Sequence, residues 1–388
     1  MSCASGGSRF GWYESLRALT PVLPVLLAFC GASAIAAGAP SDDTAHYYVR
    51  EDFRRVEKID AHVHIHGDGA QFMAQAIRDH FRILTINVDY PDFPSLSEQQ
   101  RAAISLRQRY PGRVAFAAAF SVQHFEAPDW SEGALHQIDA AVQAGAVGIK
   151  IWKNIGMALQ DPDGRYVMID DRRFEPIIAD LERRHLVLLA HQAEPLNCWL
   201  PYDQMTVRSD RQYFREHPQY YMYRHPEMPS HDAILAARDR MLSDHPALRF
   251  DAVHLASLEW DVDRVAQFLD RFPQANVDLA ARLVHLEYQA ARNPHKVRQF
   301  LLRYQDRVLY GSDDAYGPAD TDARALADVH AAWLEDWRFL ATSEPMHSAD
   351  LAQRFRGLHL PRAVIDKIYR RNAESMFAGG WNATVLPM

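Results

Sequence analysis

Val56-Glu57-Lys58-Ile59-Asp60-Ala61-His62-Val63-His64-Ile65 is an apolar, β-branched run that reads as a strand, and it opens a series. Seven comparable runs follow, at residues 83–88, 114–121, 147–152, 186–191, 250–255, 275–279 and 308–312. Between them lie longer amphipathic segments at 71–80, 99–110, 132–144, 174–184, 234–245, 262–272 and 295–304. This alternation predicts parallel pairing, because a parallel crossover needs a long connection back to the same end of the sheet. Eight such units predict an α/β fold: a closed (β/α)8 TIM-type barrel in a single domain over residues 45–380. An open doubly wound sheet is the alternative, and the first run lacks the glycine-rich phosphate turn that would support it. Helices at 322–340 and 361–377 extend the chain past the eighth run, the second stopping at Gly379-Gly380.

Before the first run the chain has a different character. Arg9 and Arg17 precede an apolar stretch at 19–29, and small residues fill 31–39. That order predicts a secretory signal over residues 1–39, with Ala34-Ile35-Ala36 as the cleavage tripeptide, and an exported, periplasmic or secreted product. The stretch is too short, and too interrupted by Pro21 and Pro24, for a stable membrane span. Phe29 occupies a position where a lipid anchor at Cys30 would want a small residue. Cleavage would leave Cys198 as the one cysteine, so no intrachain disulfide is expected.

Composition narrows the function. The 388 residues carry 42 Lys+Arg against 50 Asp+Glu, a net charge of −8. An acidic balance argues against broad phosphate contact and hence against nucleic acid as a partner. A small-molecule substrate is expected, and a homo-oligomer stays open. One connection is unusually long. Residues 193–232 carry Trp199, Tyr202, Tyr213, Phe214, Tyr220, Tyr221 and Tyr223 after the fifth run, at the barrel end where active sites are built. The segment reads either as a lid or substrate wall, with Trp199 a candidate contact, or as an aromatic satellite core.

Chemistry concentrates at the ends of the runs. His62 and His64 are two apart, so on a strand they share a face, and two imidazoles there begin a metal site. His191 ends the fifth run, His254 lies near the end of the sixth, and Asp313 follows the eighth. A single strand-end histidine reads as a satisfied core residue. Five converging positions read as a metal centre. His136, His217, His245 and His330 fall in helices or loops and read as solvated or capping residues.

This ordered set resembles the amidohydrolase superfamily, and more narrowly its amidohydrolase-related branch, which shares the late Tyr369-Arg370-Arg371-Asn372-Ala373-Glu374-Ser375-Met376-Phe377 helix. The resemblance runs from about Val56 to Phe377 and implies a TIM-type barrel, a divalent metal (often zinc) and hydrolysis of C–N or C–O bonds. Some members of the branch are instead nonoxidative decarboxylases or hydratases. A bound divalent cation lowers the pKa of its water toward about 7. His62, His64 and His191 would supply nitrogen ligands, and Asp313 would ligate or act as base and then acid. His254 would polarise a substrate carbonyl with one metal present, or ligate a second.

Lys150, inward by parity in the fourth run, bears on the metal count. Binuclear members of the superfamily carboxylate a lysine on this strand into a bridging ligand. The alternative is a cation that binds a substrate carboxylate or pairs with Glu194 or Asp278. Lys153 has the opposite parity and reads as a loop residue. Glu194, Asp278 and Arg282 are candidates to orient ligands or to bind an anionic substrate group. The resemblance implies a metal-dependent hydrolase first and a decarboxylase on the same scaffold second; a binding barrel that has lost turnover is the third reading.

Overall fold

The computed structural model describes residues 46–317, 320 and 323–382. The leader expected at 1–39, with Cys30, lies outside the described residues. Nine parallel strands form one curled sheet: β1 (Lys58–Ile65), β2 (Phe81–Ile86), β3 (Val114–Ala119), β4 (Gly148–Ile151), β5 (Val187–Ala190), β6 (Arg249–Ala252), β7 (Ala275–Asp278), β8 (Val308–Leu309) and β9 (Asp314–Tyr316). Their order is β8-β7-β6-β5-β4-β3-β2-β1-β9. The two outermost strands belong to one segment, 308–316. β8 pairs with β7, while β9 pairs with β1. The Ala61 N–H donates to Tyr310 O at 3.0 Å and the Asp313 N–H to His62 O at 2.8 Å, so the seam is closed. The predicted eight-stranded barrel therefore stands, its eighth strand interrupted by Gly311-Ser312-Asp313.

Two apolar layers follow from the alternation of side chains. Ile59, Ala61, Leu84, Ile86, Ala115, Ala117, Val187, Leu189 and Leu309 fill the interior, which Met376 and Phe377 plug from the C-terminal helix. Val63, Ile65, Ile83, Phe116, Ile149, Leu188, Phe250 and Val277 face the surrounding helices.

In β1 these lists change parity: Ile59 and Ala61 point in, Val63 and Ile65 point out. The cause is a β-bulge. Asp60 pairs with Ile83 but Val63 pairs with Thr85, so β1 spends one residue more than its partner. Asp60, ahead of the bulge, points outward to the helix Ala323–Ala341, where Trp333 Nε1 donates to it at 2.8 Å. The bulge turns His62 and His64 inward. Gly311 is needed opposite, since a Cβ there would lie 2.7 Å from His62 Cβ.

The long connection is ordered. It holds a 3-10 turn (Leu196–Trp199), a helix (Arg208–Glu216) and two further short turns before the helix His231–Asp244. Cys198, Met205, Phe214, Tyr221 and Met222 form an apolar cluster of their own with Met157 and Ile234, which is the satellite-core arrangement. Among the described residues no helix is long and apolar enough to cross a membrane.

Candidate metal centre

His62, His64, Lys150, His191, His254 and Asp313 line one recess at the C-terminal mouth of the barrel, together with Val88, Tyr90, Phe93 and Trp152. One half of the wall is polar and the other apolar and aromatic. The free volume is about 20 Å³, room for one water or ion.

Three of the four imidazoles are held by Nδ1. His62 Nδ1 donates to Asp278 Oδ2 at 2.6 Å, His64 Nδ1 to Ile86 O at 2.8 Å and His254 Nδ1 to Ala280 O at 2.9 Å. A carbonyl can only accept, so in the neutral rings of His64 and His254 the proton sits on Nδ1 and Nε2 keeps a bare lone pair. Burial holds His62 and His254 below the usual imidazole range, Lys150 adding to this at His62. His62 Nε2 and His64 Nε2 lie 3.1 and 3.2 Å from Asp313 Oδ1. Burial pushes the Asp313 carboxyl up, but His254, His62 and His64 more than offset it and hold the group well below the usual carboxylate range. Acceptors thus face acceptors at close range, a donor set suited to a divalent cation.

His191 completes the polar wall. Its ring centroid is 4.2 Å from that of His254, and its buried Nε2 has no hydrogen-bond partner among the described residues. Asp278 sits behind the rings, accepting from the His62 side chain and from the His254 N–H at 2.6 Å. It orients the His62 imidazole and fixes the backbone of His254.

The loops carrying these residues are strained. Ala193, His254, Ala281 and Asp313, one after each of the last four barrel strands, have positive φ. His254 to Ser257 is a run of four such residues, each costing about 1–2 kcal/mol. Surrounding bonds impose it: Arg238 Nη1 donates to Ala256 O at 2.5 Å, His231 Nε2 to Ser257 O at 3.1 Å, and Ser257 Oγ to Ala193 O at 3.0 Å. Strain held by so many bonds is characteristic of functional sites.

Residues 93–378 match the family model described as amidohydrolase. The chain belongs to the amidohydrolase family. Members of this family are generally metal-dependent, and this amidohydrolase has the histidine and aspartate cluster to match. The match begins past β2, so the placement of His62 and His64 rests on the geometry above. No curated protein matches the chain. Among solved structures it is similar to an uncharacterized TIM-barrel protein from Bordetella bronchiseptica, at 13% identity, 83% of this chain, 99% of that one and a TM-score of 0.48. It is also similar to 2,6-dihydroxybenzoate decarboxylase from Rhizobium (14%, 83% and 98%, 0.45) and 4-oxalomesaconate hydratase from Rhodopseudomonas palustris (12%, 79% and 80%, 0.43).

Other expectations need correction. Glu194 does not pair with Lys150; it takes Lys153, which lies in the turn after β4 as expected and is 5% exposed, in a buried ion pair. Lys150 Nζ lies 3.3 Å from His62 Nε2. Burial lowers its pKa to about 8, partly offset by Asp313, Asp278 and Asp251. Arg282 is buried outside the recess lining and donates to Ala281 O at 3.0 Å. Trp199 is not in the lining either; its indole N–H donates to Pro229 O at 3.3 Å. The insertion reaches the recess through Tyr220, hydrogen-bonded to Tyr90, whose own hydroxyl donates to Asp92 at 2.8 Å. His245 caps the helix His231–Asp244, its N–H donating to Met241 O, which is one of its two readings; its ring is buried between Glu175 and Glu182 rather than solvated. The aromatic wall went unread in the sequence, since Val88, Tyr90 and Phe93 follow β2 with no chemical motif to mark them.

Proposed function

We propose that this chain is a metal-dependent hydrolase that adds water across a C–N or C–O bond (amide, lactone or ester-like) of a small molecule. The single observation behind this reading is the set of Nε2 lone pairs turned toward the Asp313 carboxylate by fixed Nδ1 donors. His62, His64, His191 and Asp313 would hold a divalent cation, zinc by the nitrogen-rich donor set. Such an ion, when bound, supplies a Lewis acid and an acidified water. Asp313 has a carboxylate at the recess able to take a proton from water and return it to the leaving group. His254, its Nδ1 proton held by Ala280 O, would ligate a second ion through Nε2 when neutral, or donate an Nε2–H to the substrate carbonyl when protonated. The Tyr220–Tyr90 contact supports a role for the insertion as a wall that excludes water.

A second reading has its own support. Lys150, buried beside His62 with a pKa of about 8, stays cationic at neutral pH and suits a carboxylated substrate, as a decarboxylase requires. One experiment separates the two. Zinc-loaded protein is assayed against lactones, amides, esters and aromatic carboxylates in ¹⁸O-water. Hydrolysis places one labelled oxygen in the product. Release of carbon dioxide without label overturns the hydrolase reading.

A further inference from the structure

His66 repeats the spacing of His62 and His64 on the same chain segment. Its N–H donates to Tyr316 O at 2.8 Å, so the strand ladder still holds the backbone there. The β1 bulge gives even-numbered positions the inward parity. His66 is 7% exposed, and both ring nitrogens are buried without a hydrogen-bond partner among the described residues. Buried polar atoms are almost always paired, so two orphans on one ring call for an explanation. Phe93 stands against this ring edge-on, with centroids 4.3 Å apart, and 5.6 Å from the ring of His64.

Phe93 also lines the recess, so one ring touches both that space and His66. A substrate that reaches His66 from the recess therefore displaces this ring. Tyr90 is tied by its hydroxyl to Asp92 and Tyr220, whereas the Phe93 side chain is held by ring contacts alone. Phe93 is the part of the wall that yields most readily, and what it uncovers is His66.

We propose that His66 is a substrate-positioning residue: a planar ring of the substrate takes the place of Phe93, and a His66 nitrogen hydrogen-bonds a hydroxyl or carbonyl on that ring. This rests on the metal-centre reading above. Two residues along a strand span about 6.6 Å, which sets the distance from the metal-ligating end to the bonded substituent at about the length of a substituted benzene ring. An imidazole with one donor and one acceptor matches a hydroxyl or carbonyl there.

The test titrates the zinc-loaded full chain with acetohydroxamate, benzohydroxamate and 4-hydroxybenzohydroxamate, which grip zinc through the same group. In the natural chain the para-hydroxyl is expected to tighten binding about tenfold over benzohydroxamate. His66→Phe should bring that gain to within about twofold of none, with zinc content and acetohydroxamate affinity unchanged, and His66→Gln should keep part of it. If the phenylalanine variant does not fold, His66→Leu takes its place. Phe93→Ala should tighten both ring compounds relative to acetohydroxamate. An equal para-hydroxyl gain with and without the imidazole, or no gain in the natural chain, overturns the proposal. Failure of acetohydroxamate to bind the natural chain overturns the metal-centre reading itself, and the role of His66 with it.

Discussion

Asp60 accepts the backbone N–H of Ser312 at 3.0 Å, so one buried carboxylate fastens the first strand to the turn that presents Asp313. The same oxygen accepts the His62 N–H at 3.1 Å, and the other takes the Trp333 indole. Asp60 thus sets the relative position of two candidate ligands without lining the recess. In Asp60→Asn the amide nitrogen confronts an N–H donor. Stability should fall by about 1–3 kcal/mol, read as a lower urea midpoint with unchanged slope, and zinc affinity should fall with it.

Asp313→Asn should leave the barrel folded and lower turnover by about 10²–10⁴ at saturating zinc. An amide cannot accept and return the proton. Circular dichroism and kcat on a substrate found in the labelled-water assay check the two halves separately, and near-natural turnover removes Asp313 from proton transfer.

The buried pair of Lys153 and Glu194 gives a prediction about stability. Removing one partner leaves a buried charge unmatched, so Lys153→Met or Glu194→Gln alone should cost about 3–5 kcal/mol. Lys153→Met combined with Glu194→Gln should recover most of that loss, a coupling that chemical denaturation of all four chains measures directly.

Asp314 sets a pH dependence. Burial, then Asp60, Asp336 and Asp313, push its carboxyl up to about 8. A folded-state pKa above the unfolded one means that the folded chain holds the proton more tightly. Its contribution is therefore whole below about pH 4 and is lost as pH rises through about 8. Asp314→Asn should be more stable than the natural chain at pH 9 and gain nothing at pH 4. Urea melts at both values decide it.

The sequence carried most of this because barrel strands announce themselves as apolar runs and chemistry collects at their ends. The interior position of Lys150 followed from simple alternation, as did that of His191. His62 and His64 were legible as a pair, but their inward direction was not. Counting from Lys58 or Asp60 would place them outside, and the bulge that reverses them shows only in the pairing of Asp60 and Val63 with β2. Arg282 and Trp199 were assigned to the substrate by proximity in sequence to the strand ends, which does not fix where a loop side chain turns. Lys153 was legible as a loop residue, but its burial was not, because that depends on residues of the insertion such as Tyr220 folding over it. The run of left-handed residues at His254 had no local signal, since none of the four is a glycine.

The central claim is that His62, His64 and Asp313 meet around a cation. Anomalous X-ray diffraction at the zinc edge, on crystals of zinc-loaded protein, tests it most directly. The account predicts an anomalous peak between the Nε2 atoms of His62 and His64 and the Asp313 carboxylate, lost in the His62→Ala, His64→Ala double variant. A peak elsewhere in the molecule, or none with the natural residues in place, contradicts it.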